Sequence, residues 1–401
     1  MGPGDLSALL AGAADVVPAD ELERKLEPGR PLRVKLGLDP TAPAVTLGWA
    51  VVLRKLRQFQ DAGHVAVLIV GDQTARVGDP SGKSEMRPRL SKEEVDGYAA
   101  RLLDQFWIVL DRERTEVRHN SEWLEPLDLE AVLRLTSITT VARMLERDDF
   151  ADRYEQGKPI SIMEFLYPLL QGMDSVAVRA DIELGGTDQL FNLLVGRDVQ
   201  REHGLEPQVA LTTPLLVGTD GVQKMSQSLG NYVGITEPAD EMFGKLVRVP
   251  DELIAEYRLL TLDFFRDPSE TDRVRAGLAD GTRDPWEEKR RMASEVVDLY
   301  QGEGAGEAAR AGFDRVHHDR ELPEAIPRRA IPPDLVVDGK VFLPKLLAVL
   351  GLADSTNKAR SVLEQGGVRL DGEPTSGLEV PVEDLRDRVL QVGRRRFVRL
   401  G

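Results

Sequence analysis

Six consecutive apolar residues, Val65-Ala66-Val67-Leu68-Ile69-Val70, constrain this chain more than any other feature. A short run that is apolar on both faces suits a strand covered on both faces, as in a parallel sheet. Its neighbours agree. Leu32–Leu38 reads as a strand that ends in Asp39-Pro40-Thr41. From Leu47 to Ala62 the pattern is helical, with Leu53, Leu56 and Phe59 recurring at spacing three on one face. Strand, helix and strand in succession predict a βαβ unit and an α/β fold with a parallel sheet. Ligands of such sheets bind beyond the carboxyl ends of the strands. Asp39-Pro40-Thr41 and Gly71-Asp72 lie at two of those ends.

Beyond this unit, residues 85–175 read as mostly helical, most clearly Leu127–Arg147 and Ser161–Gln171. Ala177–Leu184 is predicted as a strand leading into Gly185-Gly186-Thr187-Asp188-Gln189. Residues 236–330 read as charged helices, and Pro332-Pro333 marks a linker. Residues 334–401 hold 11 Lys/Arg against 10 Asp/Glu, a formal +1, although the whole chain carries −16. The excess acid disfavours a protein that coats nucleic acid non-specifically, and a local basic patch remains possible. A chain of 401 residues suggests two to three domains.

Composition removes several chemistries. There is no cysteine, so thiolate metal sites, disulfides and cysteine nucleophiles are excluded. The five histidines form no H-E-x-x-H pair, and no metal site is expected. No apolar run approaches membrane-spanning length, and the start of the chain lacks a basic, signal-like segment. A cytoplasmic protein is expected.

Three motifs carry possible chemistry. Gly78-Asp79-Pro80-Ser81-Gly82-Lys83-Ser84 imitates a phosphate-binding loop, but its glycines are one residue too close and Asp79 would repel phosphate. Lys224-Met225-Ser226-Gln227-Ser228 offers one cation and two hydroxyls to phosphate oxygens, and taken alone suits an ordinary surface loop equally well. Tyr167, Gln171 and Asp174 lie four and three residues apart, so they share one helix face. That face is either solvated or the wall of a polar pocket.

Taken together and in order, these segments resemble the bacterial tyrosyl-tRNA synthetase family of class I aminoacyl-tRNA synthetases. The resemblance rests on Leu38-Asp39-Pro40-Thr41-Ala42-Pro43, Gly78 to Lys83, Tyr167 to Asp174, and Gly185 to Gln189. Lys224-Met225-Ser226-x-Ser228 is similar to the KMSKS loop. Residues 341–401, with Ala359-Arg360 and the Gly366–Gly372 turn, resemble an S4-type RNA-binding module. The resemblance implies a Rossmann-like catalytic domain over 1–235 with a helical insertion near 120–170. It further implies a helical tRNA-contacting domain over 236–332 and a small α+β S4 domain over 333–401. The implied substrates are ATP, with magnesium as its counter-ion, tyrosine or an analogue, and tRNA. No bound organic cofactor and no membrane are implied. A homodimer is expected, with helices between 127 and 170 as the candidate interface.

The same resemblance assigns roles. Asp79, Tyr167 and Gln171 hold the substrate α-ammonium, and Asp174 accepts the phenol O–H. Lys35, Gln73, Met173 and Gln189 complete the amino-acid pocket. Asp39, Thr41, Gly48, Asp188 and Lys224 face ATP, and the catalytic positions are Thr46, Trp49, Lys83, Lys224 and Gln227.

The departures are equally specific. Thr46-Leu47-Gly48-Trp49 stands where the family has a His-x-Gly-His form of the HIGH motif. Gln227 replaces the second KMSKS lysine, Gly172-Met173 an Ala-Tyr pair, and Gln73 an apolar or small residue. A hydrogen bond to a charged group is worth about 1.5–3 kcal/mol, or about ten- to a hundred-fold in rate. Losing two histidines and one lysine costs about 10³–10⁶ if the effects add, which groups acting as a unit need not do. Three readings stay open on the sequence: a working synthetase with substituted ATP contacts, a paralogue passing an activated amino acid to another acceptor, and a tRNA-binding protein without catalysis.

Overall fold

The computed structural model describes residues 6–79, 90–265, 268–317, 326–375, 377–393 and 396–401. The chain forms two compact units, residues 1–307 and 308–401. The first is built on a six-stranded sheet: β1 (Asp15–Val17), β2 (Arg33–Leu38), β3 (Val65–Val70), β4 (Thr115–His119), β5 (Ile182–Gly186) and β6 (Val209–Thr213). Their order is β1-β6-β5-β2-β3-β4. β2 to β6 are parallel, and β1 runs antiparallel along β6. The chain moves outward from β2 through β3 and β4, then returns to place β5 on the other side of β2. This reversal opens a crevice at the carboxyl ends of β2 and β5.

The expected βαβ unit is present. In β3 every residue after Val65 is buried, as its unbroken apolar run requires. The helix Leu47–Asp61 begins at Thr46, whose side chain accepts from the Trp49 N–H and so satisfies one free donor of the first turn. It buries Leu53, Leu56 and Phe59, each at 1% exposure or less. Burial of such a side chain stabilises by about 1.5–3 kcal/mol.

Three expectations change. β4 lies inside the stretch read as helical. Its sequence, Thr-Glu-Val-Arg-His, carries charges because it is an edge strand with every residue only partly buried. The stretch 127–147 divides into Leu129–Thr136 and Val141–Met144, with Thr140 capping the second. The strand expected from Ala177 begins only at Ile182, because the helix Ile162–Val178 runs on until Arg179 adopts a left-handed conformation.

In the second unit, strands Glu373–Pro374, Val368–Leu370, Val389–Val392, Arg396–Leu400 and Arg328–Arg329 form one sheet in that order. Asp371-Gly372, both at positive φ, turn the first hairpin, as Asp-Gly pairs do in tight turns. Helices Leu343–Val349 and Thr356–Glu364 bury Leu343, Leu346, Leu347, Ala359 and Leu363 in one core with Val368 and Leu390. The sequence also clusters Arg394, Arg395, Arg396 and Arg399 near its end, of which Arg394 and Arg395 lie outside the described residues. Among the described residues no helix is long and apolar enough to cross a membrane.

Candidate active site

The crevice between β2 and β5 holds a cavity of about 550 Å³. Tyr167, Gln171 and Asp174 all line it, so their shared helix face is a pocket wall. Asp39, Thr41, Thr46, Gly48, Trp49, Asp79, Asp188, Gln189, Lys224 and Gln227 line it too. Most of the residues singled out from sequence thus converge, although they span nearly 190 positions.

One end gathers several hydrogen-bond acceptors from separate elements. Tyr167, 7% exposed, donates its hydroxyl proton to Asp39 at 2.9 Å, which leaves the phenolic oxygen as an acceptor. Thr74 donates to the other Asp39 oxygen at 2.7 Å. This bracket explains Gly71: a Cβ there would lie 2.2 Å from Asp39 Oδ1. Gln171 donates from Nε2 to Glu183 at 2.9 Å and accepts at Oε1 from Asn192 at 3.1 Å. Its amide orientation is therefore set, with oxygen available as an acceptor. Asp79 accepts from Gln189 at 2.9 Å and lies 3.8 Å from the Arg147 guanidinium.

Asp174 sits deeper, at 3% exposure. Trp123 Nε1 donates to one of its oxygens at 2.9 Å and Asn120 to the other at 3.4 Å. Burial pushes its carboxyl up to about 7, opposed by the nearby Lys35 ammonium and by these two donors. Tyr167 is likewise driven well above the usual phenol range, by burial and then by the Asp39 charge.

The other end faces the start of the helix Leu47–Asp61. Trp49 stacks on Phe106 with ring centroids 6.5 Å apart and planes 16° apart. Thr46 is 3% exposed, and its oxygen caps the helix. A Cβ on Gly48 would make only ordinary contacts, the nearest at 3.5 Å to Met225, so the protein's own packing does not require glycine there. Lys224 pairs with Asp188 at 2.6 Å. Gln227 is bound to the backbone of Ala44.

Three of the expected residues are placed differently. Lys35 is fully buried beneath the cavity, where it pairs with Glu183 at 2.8 Å and donates to the Gln171 carbonyl at 2.9 Å. It supports the pocket from below. The Gln73 side chain turns to Arg76 at 3.1 Å, and it is the next residue, Thr74, that enters the cavity. Met173 packs into an apolar cluster with Leu169, Val195 and Val199, one helix step away from the pocket face. Lys83 lies outside the described residues. The sequence reading missed Thr74, Asn120, Trp123, Arg147, Glu183 and Asn192. They come from separate segments and form no local motif, and a lone tryptophan or asparagine gives no signal of its own.

The arrangement pairs convergent acceptors for an ammonium group with a deep carboxylate, on a doubly wound sheet. The family described as tRNA synthetases class I (W and Y) matches residues 27–317. A tyrosine–tRNA ligase of Moorella thermoacetica is 49% identical over 399 residues, covering 98% of this chain and 95% of the relative. One from Geobacter sulfurreducens is 47% identical over 405 residues, covering 100% and 99%. A crystal structure of an Archaeoglobus fulgidus tyrosyl-tRNA synthetase complexed with L-tyrosine shares the fold, with a TM-score of 0.63 at 23% identity, over 76% of this chain and 98% of that one. The chain belongs to the bacterial tyrosyl-tRNA synthetase family.

Proposed function

We propose that the chain is a tyrosine–tRNA ligase. The tyrosine carboxylate attacks the α-phosphate of ATP, forming tyrosyl-adenylate and releasing pyrophosphate. The tyrosyl group then passes to the 3′ end of tRNA. The observation that carries this reading is the single cavity wall of Tyr167, Gln171 and Asp174 with Asp79 facing the same space.

The geometry supports a division of labour. Tyr167 Oη, Gln171 Oε1 and the Asp79 carboxylate are acceptors suited to an α-ammonium. Asp174 accepts the phenol proton, and phenylalanine would leave that buried group without its partner. Thr41 and the N-terminus of the helix Leu47–Asp61 face the phosphates, where free backbone donors favour anions. Asp188 takes the ribose, Lys224 the phosphates, and magnesium accompanies ATP as its counter-ion. Catalysis is then positioning plus charge stabilisation. The relatives named above are ligases of this kind. A changed acceptor and binding without catalysis gain nothing from the comparison.

Pyrophosphate exchange with a panel of amino acids tests the reading. Exchange driven by tyrosine is expected. Binding of tyrosine without exchange would replace it by a protein that receives an already activated substrate.

Three finer features belong with this function. The catalytic domain, with its helical insertion, is assigned to 1–235, the helical tRNA-contacting domain to 236–332 and an S4-type RNA-binding domain to 333–401. If the last binds RNA through its arginines, affinity falls steeply with salt. Unchanged tRNA affinity after deletion of 334–401 would refute that role. The protein acts as a homodimer in the cytoplasm. Leu129, Leu133, Val141, Tyr154 and Ile162 are exposed by 60–80%, a concentration of apolar surface that a second copy would cover. Sedimentation at a single chain mass would exclude the dimer.

A further inference from the structure

The residue that replaces the second loop lysine is not idle. Gln227 Nε2 donates to the Ala44 carbonyl at 2.5 Å, and Gln227 Oε1 accepts from the Ala44 N–H at 3.2 Å. One side-chain amide thus pairs with both backbone groups of one residue. The same segment is held from a second side. Gln105, on the helix Lys92–Phe106, accepts from the Val45 N–H at 2.8 Å and donates to the Pro43 carbonyl at 2.8 Å. The Val45 carbonyl accepts from Ile235 and the Leu47 N–H donates to Val233. The stretch that leads into the helix Leu47–Asp61 is therefore fixed, and the 224–228 loop is fastened to it.

The rest of the loop is braced in the same position. Lys224 pairs with Asp188 beyond the end of β5 at 2.6 Å. Buried Asn231 accepts from the Ser226 N–H at 2.8 Å and donates to Asp220 at 2.8 Å. The loop lines the cavity between these two attachments. We propose that Gln227 is a positioning residue that latches the 224–228 loop onto Ala44, so that the loop is held at the nucleotide end of the cavity by the protein itself. This rests on the reading of that end as the nucleotide site. Lysine cannot form the pair, because an ammonium donates to the carbonyl but cannot accept from the N–H. Glutamate can accept from the N–H and cannot donate to the carbonyl.

These chemistries give a signature that general destabilisation would not. In the free, full-length protein the Ala44 amide is protected from hydrogen exchange. Protection persists in Gln227→Glu and is lost in both Gln227→Ala and Gln227→Lys. Trypsin cleavage after Lys224 accelerates in Gln227→Ala by about ten-fold or more, the effect of two net hydrogen bonds. In tyrosine-dependent pyrophosphate exchange, the KM for ATP rises in Gln227→Ala while the KM for tyrosine is unmoved. Unchanged Ala44 exchange and unchanged cleavage in Gln227→Ala would overturn the latch, whether or not the protein forms an adenylate. A complete absence of exchange activity with the protection pattern intact would instead remove the synthetase reading and leave the latch standing.

Discussion

Replacing Asp174 with alanine is expected to lower tyrosine affinity by about 10²-fold while leaving phenylalanine affinity nearly unchanged. The phenol proton would lose its acceptor, whereas a ligand without that proton has nothing to lose. Alanine also strands the Trp123 donor in a buried site, which costs about 1–3 kcal/mol in stability, whereas Asn120 still donates to Thr74 at 2.9 Å. Asp174→Asn keeps an oxygen for one donor and provides the gentler test. The same residue gives a pH dependence. Asp174 is raised to about 7 by burial, so below that value it is mostly protonated. A phenol donor favours the ionised form. Tyrosine binding should therefore strengthen as pH rises through about 7, approaching ten-fold per unit on the acid side if only the carboxylate accepts. Phenylalanine binding should stay flat, and Asp174→Asn should flatten the tyrosine profile. Calorimetry showing equal losses for both amino acids would take phenol recognition away from Asp174.

This site was legible where one element carries several of its residues. Spacings of four and three on a single helix place Tyr167, Gln171 and Asp174 on one wall, and no tertiary information is needed to see it. The ends of β2 and β3 were legible for a related reason, since parallel strands expose their carboxyl ends to ligand. Illegible were the groups that orient those residues. Trp123 and Asn120 approach Asp174 from the turn after β4, an edge strand whose charges hide it from any apolar pattern. Glu183 and Lys35 face each other across neighbouring strands β5 and β2, a pairing that exists only once the sheet is assembled. Gln73 and Met173 err by a single position each, the step that turns a side chain from a pocket to a neighbouring surface. Gln227 shows a different limit. On sequence it is only a lost cation, because its partner is backbone and backbone carries no sequence signal.

Restoring Thr46→His, Trp49→His and Gln227→Lys together should raise adenylate formation about ten-fold or more over the unaltered chain. The motivation is that all three line the cavity, at the end proposed to take ATP. Histidines there would add side-chain donors to the backbone groups of the helix start, where charge builds up as pyrophosphate leaves. The triple change should exceed each single one, because the groups act on one transition state. The structure also names what each change gives up. Thr46→His removes the oxygen that caps the helix, a loss of about 0.5–2 kcal/mol. Trp49→His breaks the stack on Phe106. Trp49 is only partly buried and histidine keeps a ring, so the penalty should fall below the roughly 3–5 kcal/mol of a full Trp→Ala cavity. Gln227→Lys gives up the Ala44 pair and frees the loop, so as a single change it should do little or slow the reaction. Combined with the histidines, the released loop and its new cation can close on the phosphates instead. A thermal melt separates a folding failure from a chemical one. A triple variant that melts like the unaltered chain and forms no more adenylate would show that the missing histidines do not limit the reaction. The stacked tryptophan and the amide latch would then be the working form of this nucleotide site.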